Sequence, residues 1–426
     1  MSEFVPEGWI SKQLIDCSVD GISNGVFCDP NKVGSGYKLI NVYEMYQGYG
    51  IDVNLTRRLQ LDEKEFIKNK VSYGDVFFTR SSLKLEGIAY CNINLSYDSD
   101  ITYDGHLMKI VPNKSLVYPE YLARYCLSDF ARKFFISTAK HSTMTTIAQS
   151  DIAPLQVLIP PLPEQQKIAA ILTSVDKVIE KTQAQINKLK DLKTGMMQEL
   201  LTRGVGVDGK PHTEFKDSPV GRIPKGWAVV PLEELVKNDK KITYGIVQAG
   251  PHYEGGVPYI RVSDMSSRHL TKKGMLLTSP EIARKFERSS VRAGDIVYAL
   301  RGMIGHVHIV PSELNGANLT QGTARISPSE NINTNYLLWA MRSPYVALQN
   351  DLEAKGSTFK EVTLASLRQI HIAVPSGREQ QCISSSLSSI ESRIYTTEDK
   401  LNHLKALKKA LMQDLLTGKV RVKVDS

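Results

Sequence analysis

The stretch "PLPEQQKIAAILTSVDKVIEKTQAQINKLK", Pro161–Lys190, has a shortened echo in "PSGREQQCISSSLSSIESRIYTTEDKLNHLK", Pro375–Lys405. Glu164 and Glu379 open the shared "EQQ" 215 residues apart, and other pairs keep that interval. "AKHST" at Ala139 matches "AKGST" at Ala354, "YL" at Tyr121 matches "YL" at Tyr336, and "MQELLTRG" at Met197 matches "MQDLLTGK" at Met412. Near the start of each half, "VPEGW" at Val5 matches "IPKGW" at Ile223 and "GDVFF" at Gly74 matches "GDIVY" at Gly294, at intervals of 218 and 220. A period this long describes two domain-sized units, not a solenoid.

The repeated stretch is a helix with a heptad. One series is Ile168, Val175, Thr182, Leu189 and Met196; the other is Leu172, Ile179, Ile186, Lys193 and Leu200. Alternating spacings of four and three make a coiled-coil seam. The echo repeats both series as Ile383, Ile390, Thr397, Leu404, Leu411 and Leu387, Ile394, Leu401, Lys408, Leu415, matching threonine for threonine and lysine for lysine. Each stripe needs a partner, and the simplest is its twin. A parallel pair would bring Lys193 and Lys408 into one layer, where like charges repel. An antiparallel pair sends them to opposite ends, where long stems can run outward to solvent.

Each half begins with short apolar runs, such as "DVFFT", "LMKIV", "DIVYAL" and "HVHIV", separated by Gly, Asn, Asp and Ser. This is strand-and-loop writing. Helical patterns follow in "YPEYLARYCLSDFARKFF" and "NTNYLLWAMRSPYVALQ", and a further β-like run precedes each long helix. The expected fold is α+β: two tandem α/β modules with twisted sheets, separated by two long helices that form an antiparallel coiled coil in a pseudo-two-fold repeat. The boundaries read as module 1–160, helix 161–203, connector 204–222, module 223–374, helix 375–418 and tail 419–426. An antiparallel pair carries two related modules facing opposite ways at a fixed spacing. Duplex DNA, with its local dyad, suits such a ruler, and modules that differ in sequence would read a bipartite, asymmetric site. A DNA-independent, pseudo-dimeric assembly scaffold is the alternative.

Composition agrees with soluble globular domains, at 42% hydrophobic and 23% charged over 426 residues. Lys+Arg 53 against Asp+Glu 45 gives a net +8, a hint of a polyanionic partner. No apolar run approaches the ~18 residues of a membrane span, and the N-terminal "MSEFVPEGWI" lacks a leader pattern, so a cytoplasmic location is expected. Cys17, Cys28, Cys91, Cys126 and Cys382 are scattered, with no C-x-x-C pair, and imply neither a disulfide framework nor a zinc site.

The entry "PEQQKIAAIL", the exit "MMQELLTRG", the following "KDSPVGRIPKGW" and their recurrence resemble the specificity subunit of type I restriction-modification systems. The likeness runs over nearly the whole chain; "PSGREQQ" in place of "PPLPEQQ" departs from it at the second helix entry. The resemblance implies two target recognition domains joined by helices that form an antiparallel coiled coil. It also implies assembly with two modification subunits, which methylate adenine with S-adenosylmethionine, and with restriction subunits that use ATP and Mg. This chain itself is then expected to bind no cofactor or metal and to catalyse nothing. The residues agree: the sole "PP", Pro160–Pro161, is followed by leucine, not by the aromatic of an adenine methyltransferase motif. "GVGVDGKP", Gly204–Pro211, follows a helix and lacks the Ser/Thr of a phosphate loop. "HVH" puts His306 and His308 on one strand face without a neighbouring Cys/His cluster, and "DEK" at Asp62 reads as a charged surface turn.

Base edges are read by Arg, Lys, Asn or Gln, and phosphates are held by Ser, Thr, Lys and backbone amides. "FFTRSSLK" places Arg80, Ser81, Ser82 and Lys84 after a strand, and "YALRGM" is expected to place Arg301 likewise. "AKHST" and "AKGST" supply Lys140, Ser142, Thr143 and Lys355, Ser357, Thr358 as phosphate contacts. "YIRVSDM" supplies Arg261, matched to Asn41 in "LINVYEM", and "ITYGIVQAG" adds Tyr244 and Gln248.

Overall fold

A computed structural model describes residues 5–140, 144–206, 210–353 and 361–423. Contacts divide the chain into two compact units, Met1–Ala184 with Asp399–Ser426, and Gln185–Glu398.

In the first unit, a four-stranded antiparallel sheet runs in the order Ser18–Asn24, Leu107–Pro112, Val76–Thr79, Cys91–Ile93. Val76, Phe77, Phe78 and Thr79 are all fully buried, which is why this strand reads as an unbroken apolar run. A second sheet pairs Arg57–Leu59 antiparallel and Ile101–Tyr103 parallel with Val33–Ile40. A ribbon of Ile10–Gln13 with Gln156–Ile159 closes the module. The pattern "YPEYLARYCLSDFARKFF" is two helices, Pro119–Cys126 and Asp129–Thr138, because Ser128 breaks the first and caps the second at the Ala131 amide. Asp62, expected in a turn, likewise caps a helix, Glu63–Asn69, through the Glu65 amide at 2.7 Å.

The second unit repeats this topology. Its four-stranded sheet has the order Thr243–Tyr244, Thr323–Ile326, Ile296–Ala299, Val307–Ile309, all antiparallel. Its three-stranded sheet joins Leu277–Thr278 antiparallel and Asn318–Leu319 parallel to Val257–Ile260. Ala228–Pro231 pairs with His371–Val374, and helices Thr334–Met341 and Pro344–Glu353 complete the module.

Two long helices, Leu162–Leu200 and Gly377–Leu416, pass through both units. Glu164 and Glu379 are each the third helical residue, so the altered "PSGREQQ" entry starts its helix at the same point as "PPLPEQQ". The helices are antiparallel. In the second unit, Lys193 meets Glu391 at 2.8 Å and Lys190 meets Glu398 at 2.7 Å, so one helix climbs as the other descends. In the first unit, Asp176 meets Lys408 at 2.7 Å, while Ile168 and Leu172 share a core with Leu415. Leu189, Ile390 and Ile394 form one buried cluster, and Ile186, Ile383, Leu387 and Leu401 are also buried. Val175, Ile179 and Leu404 are half-buried. Thr182 and Thr397 are both buried and return their hydroxyls to the carbonyls of Val178 and Arg393, each at 2.7 Å.

The seam lysines do not run out to solvent as expected. Lys193 lies on Glu391, which also pairs with Arg342, and Lys408 lies on Asp176, which also pairs with Arg124. Each carboxylate is half-buried, and joining two cations to it removes the need for the stems to escape. The helix ends also finish the cores: Leu415 and Leu416 pack with Phe78, Tyr121 and Val157, and Leu201 packs with Tyr298, Trp339 and Ile372.

Candidate nucleic-acid interface

Each module is tied to its helix entry by the "EQQ" residues. Glu164 accepts from the Trp9 indole at 3.2 Å and takes both Arg421 contacts, at 2.7 and 2.8 Å. Glu379 accepts from the Trp227 indole at 3.0 Å, from the Val205 and Gly206 amides at 2.9 Å, and lies 2.9 Å from the His212 ring. Burial raises the Glu379 pKa, but hydrogen bonds from His212, Gly206, Val205 and Trp227 outweigh it and leave the carboxyl below its ordinary value. Gln165 and Gln380 follow suit, accepting from the Tyr118 and Asn333 amides at 2.7 and 2.8 Å, each at the start of a module helix. Two amides of the "GVGVDGKP" loop are thus spent on Glu379.

With the modules anchored, the strand ends carry the exposed polar groups. In the first unit, Arg80 follows the buried strand Val76–Thr79 and is exposed. Ser81–Ser82 pairs with Thr145–Thr146, and Lys140 bridges to Thr146 through backbone bonds of 2.9 and 3.1 Å. Arg80, Ser81 and Lys140 therefore line one depression of about 430 Å³ with His106, Thr146 and Asp151. Ser81, Ser82 and Lys84 line a neighbouring one of about 560 Å³ with Tyr46, Leu83 and Tyr90. Ser142, Thr143, Lys355, Ser357 and Thr358 lie outside the described residues.

In the second unit, Arg301 lines a depression of about 940 Å³ with His306, Arg342, Asp351 and Glu361. Arg301 is not the counterpart of Arg80, contrary to the reading of "FFTRS" against "YALRG". The Arg80 amide donates to the His106 carbonyl and its carbonyl accepts from Ile147; the residue with the same two kinds of bond is Leu300, which donates to Gly322 and accepts from Val362. Arg301, bridged to Glu361, occupies the place of Ser81, bridged to Thr146. At the equivalent positions Arg80 is exposed, whereas Leu300 is 2% exposed and packs in the core of the second unit.

Asn41 and Arg261 do correspond. Each follows the central strand of a three-stranded sheet and donates its amide to an acid three residues on, Glu44 at 2.9 Å and Asp264 at 2.8 Å. The Arg261 guanidinium is bound to Asp264 at 2.7 and 3.1 Å, and the Asn41 side-chain oxygen accepts from Val42. Tyr244 and Gln248 are exposed at the sheet edge and are not among the residues lining the Arg301 depression. Between them Gly245 passes so close to Leu319 that a Cβ would lie 1.9 Å from its carbonyl oxygen; Gly25 makes the same approach to Tyr103, at 2.1 Å. Both glycines present an apolar residue to solvent two positions on, Phe27 at 81% exposure and Val247 at 53%, a correspondence hidden by the different flanking letters.

His308 is buried and bonded to the Met265 carbonyl while His306 is exposed; the two line one depression, and no cluster of three His, Cys, Asp or Glu suits a metal among the described residues. Cys17, Cys91 and Cys126 are buried, and burial pushes the Cys17 thiol up to about 12. No described helix is long and apolar enough to cross a membrane.

Two repeated modules on an antiparallel helix pair, with non-equivalent polar groups at their strand ends, define a class of sequence-reading subunit. The chain belongs to the type I restriction modification DNA specificity domain family, whose profile matches residues 35–191 and 224–406. It is a specificity subunit, the non-catalytic member of such a system. A Methanocaldococcus jannaschii protein, provisionally assigned as the MjaX type I restriction enzyme specificity subunit, is 29% identical over 98% of this chain and 95% of its own. The EcoBI specificity subunit of Escherichia coli is 27% identical over 67% of this chain and 60% of its own. Among solved structures, the type I restriction-modification S subunit from M. genitalium aligns over 98% of this chain and 97% of its own, with a TM-score of 0.58 at 12% identity. A chain from a study of assembly and conformational transition of the type I R-M system aligns over 98% and 100%, with a TM-score of 0.59 at 19% identity. These two likenesses concern the fold.

Proposed function

We propose that the chain reads an asymmetric, bipartite sequence in double-stranded DNA, one half with each module. It docks two modification subunits that methylate adenine with S-adenosylmethionine, and it directs restriction subunits that use ATP and Mg; it holds none of these cofactors itself. Arg80, Ser81, Ser82, Lys84 and Lys140, with Asn41, serve the first half-site; Tyr244, Gln248, Arg261 and Arg301 serve the second; Ser142, Thr143, Lys355, Ser357 and Thr358 are assigned to phosphates. The observation that carries this reading is the contrast between repeated anchors, Glu164–Trp9 and Glu379–Trp227, and unrepeated strand ends, where Arg80 holds the position of Leu300 and Ser81 that of Arg301. Modules built alike and tipped differently suit two different half-sites.

Methylation mapping of a genome carrying this chain with its modification partner tests the reading. One bipartite motif with a fixed gap is expected, and methylation independent of this chain would support a DNA-independent scaffold. The helices are assigned the setting of that gap. Removing one matched heptad from each, residues 182–188 and 397–403, should shorten the gap by about 3 base pairs at ~1.5 Å per helical residue, leaving both half-sites unchanged.

A further inference from the structure

The first module has a polar group at the place that Arg301 holds in the second, and it comes from the opposite strand. Thr79 pairs with Leu107 as Ala299 pairs with Thr323, and one step outward the amides of Arg80 and Leu300 donate to the carbonyls of His106 and Gly322, both at 2.9 Å. His106 and Gly322 are therefore equivalent. A Cβ at Gly322 would stand 3.1 Å from Arg301 Nε and 3.0 Å from a Val262 methyl. The guanidinium stem thus fills the space from which a side chain at 322 would grow. In the first module the volumes are exchanged: the Arg301 position holds the small Ser81, and the glycine position holds His106.

The His106 ring has a fixed handle. Asp104, with a side chain only 3% exposed, accepts from the His106 amide at 2.8 Å and lies 2.7 Å from Nδ1. A carboxylate accepts only, so Nδ1 carries a proton, and in the neutral imidazole the remaining nitrogen, Nε2, is an acceptor. The ring is 68% exposed and lines the depression shared with Arg80, Ser81 and Lys140.

We infer that His106 is a specificity-determining residue of the first module, taking the station that Arg301 takes in the second with the opposite hydrogen-bonding sense. Arginine only donates, and it recognises acceptors such as the guanine O6 and N7 edge. The Nε2 lone pair recognises an exocyclic amine, adenine N6 or cytosine N4, in the major groove. The inference rests on the DNA-reading function proposed above, and it assigns the chemical class of base to each module.

The test is methylation mapping and duplex selection with the complex of full-length chain and modification subunits, comparing wild type, His106→Ala, His106→Gln and Arg301→Ala. His106→Ala should lower discrimination about three- to tenfold at one amine-bearing position of the first half-site, the range for one hydrogen bond, and leave the second half-site intact. His106→Gln, which keeps an acceptor, should restore part of that discrimination. Arg301→Ala should relax a guanine in the second half-site alone. An unchanged first half-site in His106→Ala, or equal weakening on every duplex, would overturn the assignment of His106 while leaving the proposed function standing. A wild-type complex without any bipartite preference would overturn both.

Discussion

Glu164 and Glu379 hold equivalent tryptophans, yet their other supports differ: a guanidinium from Arg421, 44% exposed, in one unit, and two backbone amides with His212 in the other. The strand ends differ far more, with His106, Arg80 and Ser81 set against Gly322, Leu300 and Arg301. What repeats in this chain is the attachment of a module to its helix. What diverges is the strand ends, where exposed Arg80 and His106 stand at the positions of buried Leu300 and Gly322. Buried polar anchors tolerate little change because an orphaned partner retains its full desolvation penalty.

That contrast can be broken in order of expected effect. Glu379→Ala leaves the Trp227 indole and two amides without their acceptor and should cost about 3 kcal/mol of stability. Glu164→Ala should cost less, about 1–2 kcal/mol, because Arg421 reaches water. Calorimetric unfolding of both variants measures the difference, and an equal loss would mean that the two anchors are interchangeable. Arg301→Ala should lose about 1–3 kcal/mol of discrimination at one position of the second half-site, if the contact is bidentate, with no change in melting temperature. Competition binding on duplexes altered in each half reads this directly, and a loss shared by all sequences would demote Arg301 to a phosphate contact.

Smaller effects concern the helix pair. Lys193→Ala and Lys408→Ala should each cost about 1 kcal/mol, and by similar amounts, since the lysines are 26% and 28% exposed and each leaves its carboxylate with an arginine. Unequal losses in urea titrations would separate the two ends of the coiled coil. Burial raises the Glu391 pKa, but the Lys193 hydrogen bond and the Arg342 and Lys193 charges lower it more, so it too sits below the ordinary 4.5. A depressed carboxyl contributes stability that is complete above its unfolded value and is lost as pH falls through the folded one. Acid titration should therefore weaken the second unit as pH falls below about 4.5, with Glu379 adding to the slope, and Glu391→Gln should flatten the curve.

The helices and their pairing were legible because period and phase are written in the letters themselves. Thr182 with Thr397, and Lys193 with Lys408, recur in heptad step. The fate of those lysines was not legible, because Asp176 and Glu391 look like ordinary outer positions until the partner helix brings a lysine and the module brings an arginine. The tryptophan anchors were visible as "EGW" and "KGW" but not as partners of "EQQ", 155 and 152 residues away. At the candidate interface, Arg80, Ser81 and Lys140, chosen from residue type and setting, line one depression. The pairing of Arg80 with Arg301 failed because identical letters invite alignment, whereas hydrogen bonds to His106 and Gly322 set the register one residue apart. His106 itself, in "DGH" between two strands, carries no mark in sequence; the space beside Gly322 reveals it.

The central claim is that each module reads its own half-site independently. Replacing residues 1–160 with the corresponding module of another specificity subunit, and mapping methylation with the same modification partner, tests it most directly. The chimera should show a new first half-site, an unchanged second half-site and an unchanged gap. A change in both halves, or in neither, would contradict it.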